Sequence, residues 1–194
     1  MGSSGTILTS SDGTSWDNRT SGTSNILVGV TYGNGTFVTV GQSGTILTSS
    51  DGITWDNRTS GTSSILIGVT YGNNTFVSVG YSGTILTSPD GTTWDNRTSG
   101  TLLVLIGVTY GNGTFVTVGE SGTILTSSDG NSWNERTSGT SNHLIGVTYG
   151  NNTFVSVGYS GTILTFLLME PLGITGLLEH YWFSLESPTE MVPS

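Results

Sequence analysis

Gly-Thr-Ile-Leu-Thr is written five times at a strict spacing of 39 residues, opening at Gly5, Gly44, Gly83, Gly122 and Gly161. A period of this size means stacked or radially arranged supersecondary units, because one such unit cannot bury its own apolar face and must share it with its neighbours. Four of the copies are followed by Ser-x-Asp-Gly-x-(Ser/Thr)-Trp. This places Asp12, Asp51, Asp90 and Asp129, and then Trp16, Trp55, Trp94 and Trp133, in phase with the repeat.

Within one period four strand signals can be read, each bounded by turn residues. Leu66–Tyr71 is apolar and β-branched, and Gly72, Asn73 and Asn74 suit a tight turn because they tolerate positive φ. Thr75–Val79 reads as the second strand, Thr84–Thr87 as the third, and, after the Ser88-Pro89-Asp90-Gly91 turn, Trp94–Thr98 as the fourth. Four antiparallel strands in about 35 residues make one propeller blade. The predicted fold class is therefore all-β: a β-propeller of four-stranded antiparallel blades, with about four blades per chain. In order, the chain supplies the third and fourth strands of one unit (5–20), three complete units (about 26–59, 65–98 and 104–137) and the first three strands of a last (144–165).

Gly2-Ser3-Ser4-Gly5 stands in register with Gly41-Gln42-Ser43-Gly44, so the chain opens in mid-unit, as a piece of a longer array or as a permuted array that closes on itself. The first two strands could complete the last unit within one chain, or a homodimer could share the closure in an eight-blade ring. Gly161–Thr165 is then a surplus strand competing with Gly5–Thr9 for one place, a redundancy that makes exchange between chains easy. Asn34-Gly35 recurs at Asn112-Gly113 and Asn73-Asn74 at Asn151-Asn152, the signature of a copied two-unit module. The repeats (1–165) give way to a non-repeat tail (166–194), whose Ile174, Leu177, Leu178, Tyr181, Trp182 and Leu185 follow helical spacing. A short helix or disorder is expected there. Glu170, Pro171, Glu179 and His180 interrupt the tail, so no membrane span is expected.

Only 9% of residues are charged, lysine is absent, and the basic residues are Arg19, Arg58, Arg97 and Arg136, giving a net charge of −9. Such a surface repels phosphate backbones and anionic lipid, which argues against nucleic acid as a partner. The absence of cysteine excludes disulfides and thiolate metal sites, and no metal or cofactor is expected. The lysine-free surface rich in Ser, Thr, Asn and Gly favours an extracellular or cell-surface setting.

The Ser-x-Asp-Gly-x-Thr-Trp element resembles the Asp box, or BNR repeat, of sialidase-like and photosystem-assembly-factor-like β-propellers. It is one residue shorter than the commonest form, which carries an additional residue between Asp and Gly. The resemblance spans about 165 residues and implies the fold, with the box as the hairpin between third and fourth strands; function does not follow from it.

Each Asp is expected to hold its turn by accepting backbone N–H bonds, and each Trp to pack between blades. A sialidase needs three Arg converging on one carboxylate, whereas four equivalent Arg on outer strands point apart; no catalytic residues are expected. His143 and His180 lack a nucleophilic partner. The seven Asn-x-Thr sequons, at Asn18, Asn34, Asn57, Asn73, Asn96, Asn112 and Asn151, follow from the composition of the repeat. Antiparallel order puts the turns after the first and third strands on one face, nearly identical in all units, and the other loops on the opposite face. That second face varies: Gln42, Tyr81, Glu120 and Tyr159 share one position, while Asn25 and Asn142 belong to the loop entering each unit. These six residues are the candidate ligand site, with the tyrosines as aromatic platforms. The expected function is a non-catalytic binding or scaffold module for a glycan or a protein. The alternatives are a sialidase-like glycoside hydrolase and an amplified propeller fragment with no refined function.

Overall fold

A computed structural model describes residues 2–166. The expected tail helix lies outside the described residues. Among the described residues seventeen strands run in sequence order. β1 (Ile7–Thr9) and β2 (Asp17–Arg19) form a hairpin that makes the first unit. The second unit is β3 (Leu27–Gly33), β4 (Thr36–Gly41), β5 (Ile46–Ser49) and β6 (Asp56–Arg58). The third is β7 (Leu66–Gly72), β8 (Thr75–Gly80), β9 (Ile85–Ser88) and β10 (Asp95–Arg97). The fourth is β11 (Leu105–Gly111), β12 (Thr114–Gly119), β13 (Ile124–Ser127) and β14 (Asn134–Arg136). β15 (Leu144–Gly150), β16 (Thr153–Gly158) and β17 (Ile163–Phe166) make the fifth. Each unit is an antiparallel meander, and the second to fourth are complete four-stranded blades.

Local chemistry explains the strand limits. Asn73 and Asn74 take φ 46° and 55°, and Asn34 and Gly35 take 47° and 74°, so each first hairpin turns on two left-handed residues, matching the strand twist. The fourth strand of the third unit spans only Asp95–Arg97, because Trp94 turns its indole N–H onto the Gly91 carbonyl at 2.9 Å. The third strand starts at Ile85, because the Thr84 N–H donates to Tyr81 O in the preceding turn at 3.0 Å.

The first strands of the second to fifth units lie side by side, β3 against β7, β7 against β11 and β11 against β15, so they form the hub and the fourth strands the rim. The core sits between blades, because alternate residues of one strand serve opposite seams. Phe76 on β8 packs with Val38, Val40 and Ile46 of the previous unit; its neighbours Val77 and Val79 pack with Leu105, Phe115 and Leu125 of the next. The same seam recurs between fourth and fifth units, where Val116, Val118 and Ile124 meet Leu144 and Phe154. Burying each Phe is worth about 1.5–3 kcal/mol. Trp94 and Trp133 lie against Phe76 and Phe115, 6.4 and 6.5 Å between ring centres, at the edge of these seams.

Phe166 extends the array by one residue past the expected limit at Thr165. It stands where the other units have Ser, is buried, and stacks on Phe154 at 5.3 Å, whereas the equivalent Phe76 and Phe115 have a Trp as ring partner. Among the described residues the ring does not close within the chain. β17 keeps the third-strand place of the fifth unit on β16, and β1–β2 packs against the second unit, tied to it by the Gly2–Leu27 bridge.

Candidate functional site

The varying face is assembled by pairs of loops. In the loop between second and third strands, the variable residue precedes a Ser and a Gly that both have positive φ, as in Ser43 at 54° and Gly44 at 67°. This double left-handed kink lies against the loop that leads to the next unit, and the Gly44 N–H donates to Ser64 O at 2.9 Å. A side chain at Gly44 would strike Thr62 O, so only glycine permits the approach. On the other side, the N–H of Gln42, Tyr81, Glu120 and Tyr159 donates to Ile26, Ile65, Val104 and His143 respectively, at 2.9–3.0 Å. The two variable loops thus meet at every blade and form one surface across the array.

The six expected ligand residues divide on this surface. Asn25 and Asn142 donate their amides to Thr45 and Thr162 Oγ1 at 2.8 Å and so act as loop braces. Glu120 Oε2 accepts the Val104 N–H at 3.1 Å, fixing the loop before β11. Gln42 is half-buried. Tyr81 and Tyr159 stand out, 45% and 58% exposed. Two further features belong with them. His143 stacks on Tyr159 at 5.3 Å and 20°, and Leu102 is 85% exposed beside Leu103 in the loop that follows β10. Leu102 replaces the serines of the equivalent loops, a departure visible in the sequence; the His143 stack depends on loop geometry that no local pattern encodes.

On the opposite face each Asp is the centre of its own turn. Asp51 Oδ1 accepts the N–H groups of Ile53 and Thr54 at 2.8 and 2.9 Å, while Ser49 Oγ accepts the N–H of Gly52. Asp12, Asp90 and Asp129 repeat this arrangement. Bonds that favour the charged form hold all four carboxyls below their ordinary range. The Ser15 and Thr14 N–H groups lead at Asp12, the Thr54 hydroxyl at Asp51, the Thr92 hydroxyl at Asp90, and the Ser132 and Asn131 N–H groups at Asp129. The glycine of the turn rests on the preceding blade, as where Gly91 faces Val38 and Thr48. Trp55, Trp94 and Trp133 donate their indole N–H to the carbonyl of this glycine. Trp16, whose unit has two strands among the described residues, is 59% exposed.

Arg19, Arg58 and Arg97 each pair with the Asp two residues earlier on the same strand, at 3.0–3.1 Å. Their Nε groups, and that of Arg136, donate to a Thr on the neighbouring third strand. The Arg side chains therefore lie along separate blades. Among the described residues no cluster of three His, Asp or Glu could hold a metal ion, and no helix is long and apolar enough to cross a membrane.

No family model matches the chain, and no curated protein matches it. Solved structures do. The computationally designed Ika4 protein is similar with a TM-score of 0.63 at 15% identity, over 74% of this chain and 91% of that one. YCF48 bound to D1 peptide gives 0.66 at 18% identity, over 85% and 58%. YCF48 from Cyanidioschyzon merolae gives 0.61 at 17%, over 82% and 56%. The chain thus spans a little over half the length of the YCF48 chains. At these identities the likeness establishes the architecture alone: the chain is an all-β array of four-stranded propeller blades.

Proposed function

We propose that the chain is a non-catalytic propeller scaffold that binds a protein partner on the face formed by the paired variable loops, and that its Asp-Gly turns are shortened Asp boxes with a structural role. The observation that carries this reading is the contrast between faces. One repeats a self-satisfied turn in every unit, whereas the other presents Tyr81, Tyr159, His143 and Leu102, whose apolar and aromatic surface suits protein contacts. The D1 peptide held by a YCF48 of similar fold lends this reading support by analogy. The local pairing of Arg19, Arg58 and Arg97 supports a non-catalytic role, since none converges with another on a shared anion.

Selection of a displayed peptide library on the immobilised chain tests this. Enriched peptides should bind the parent and a control carrying Ile53→Ser on the opposite face equally, and lose at least tenfold in affinity on the Tyr81→Ala/Tyr159→Ala double variant. Peptides that bind the double variant as well as the parent would overturn the assignment of the face. Turnover of any fluorogenic glycoside in a panel would overturn the non-catalytic reading, and glycan-array binding lost in the double variant would replace protein by glycan.

A further inference from the structure

The seam between blades recurs along the array, and the two ends of the array each expose one half of it. In the interior, the outward side of one unit (Val77, Val79 and Ile85) is covered by the next. On the fifth unit the equivalent residues Val155, Val157 and Ile163 face no further blade among the described residues, and Val157 and Ile163 are 48% and 64% exposed. The other half is exposed at the opposite end. Val30 and Tyr32 on β3 are 67% and 58% exposed, whereas their equivalents Val69 and Tyr71 are packed into a seam. Beside them, where the first and second strands of the first unit would lie, runs a groove of about 480 Å³ lined by Leu8, Trp16, Val30, Phe37 and Trp55 among others.

A knob and its socket are separated in the same way. The tyrosine of each first strand covers the glycine that ends the previous one: Tyr71 on Gly33, Tyr110 on Gly72, Tyr149 on Gly111. Gly150 has nothing within 4 Å of where its side chain would be, and Tyr32 has no preceding glycine to cover.

We infer that these ends are the two halves of a head-to-tail junction between two copies of this chain, in which β15 and β16 of one copy fill the groove beside β1–β2 of the other. The occupant is a second copy because the seam it would complete is the one already present within the chain, and because, among the described residues, no strand of the first unit pairs with one of the fifth. Partner β1 carries the same Gly-Thr-Ile-Leu-Thr as β17, so it can take the place of β17 on β16 without changing a side chain from Gly161 to Thr165. The exchange brings Leu8, 51% exposed, to the position of Leu164, and Trp16 to Phe154 as Trp133 meets Phe115. Tyr32 then seats on Gly150 of the other copy. Two such junctions close a ring in which each chain contributes three complete blades and shares two more.

Light scattering on a sizing column with the full chain tests the junction. The parent should give twice its 20.2 kDa mass. Tyr32→Glu at one end and Val157→Glu at the other should each give the single-chain mass with an unchanged circular dichroism spectrum, both positions being exposed in the single chain. Mixing the two variants should restore a two-chain species, since each supplies the end that the other lacks. A parent that stays at the single-chain mass at every concentration would overturn the inference, whether its ends are met by its own tail or by each other. A dimer that either variant forms unaided would also overturn it, because the contact would then join like ends.

Discussion

Gly72→Ala puts a number on the closeness of the blades. The backbone at Gly72 is extended, so the substitution carries no conformational penalty, and alanine in a strand gains about 0.5–1 kcal/mol over glycine. The added carbon would lie 2.6 Å from Tyr110 Cβ and closer still to the ring, against the root of a side chain that cannot move without its strand. Overpacking of this kind costs up to about 3 kcal/mol, leaving a net loss near 2 kcal/mol. For an array of this size that lowers the unfolding midpoint by about 4–8 °C. Gly150→Ala is the matched control, in the same place in its unit but with nothing within 4 Å, and should leave the midpoint unchanged or slightly raised. Thermal unfolding followed by circular dichroism in dilute solution measures both. Midpoints for the two variants that agree within about a degree would refute the claim that one blade's tyrosine occupies the space of the other's missing side chain.

Ser88→Ala should cost about 1–3 kcal/mol, because the buried Gly91 N–H loses its acceptor, whereas Ser10→Ala in the exposed first turn should shift stability by less than about 0.5 kcal/mol; urea titration compares them. Phe115→Ala should cost about 3–5 kcal/mol by opening the seam between third and fourth units, readable in the same titration. Acid should act through the turn carboxylates. Asp90, held down from 3.8 to about 2, stabilises the fold fully above its unfolded value, and that contribution is lost as pH falls from about 4 through 2. The unfolding midpoint should therefore be flat above about pH 5 and fall below 4, with a shallower fall in Asp90→Asn.

Much of the fold could be read from the sequence, because the signals that define a blade are local: a fixed period, Asn-Gly or Asn-Asn at the hairpin, and apolar alternation on Thr75–Val79. The site was less legible because its residues are decided across loops. Asn25 and Asn142 look like ligand groups until a Thr twenty positions later accepts their amides, and Glu120 until it accepts the Val104 N–H. Phe166 reads as the start of a foreign tail, and only the neighbouring Phe154 ring, on which it stacks, shows that it belongs to the last blade. The count of strands already pointed to incomplete end units, but which residues they leave exposed could not be seen, since Val30 and Val69 occupy the same repeat position and differ only in what stands beside them.

Amide hydrogen exchange in dilute solution, where single chains are favoured, tests the claim that each blade is held by its neighbours. Protection should be highest on β8, β9, β12 and β13, lower on β4 and β16, and lowest on β1, β2 and β17, whose outer seams are open. Equal protection along the whole array at that dilution would contradict the account, because the end units would then need no neighbour to hold them.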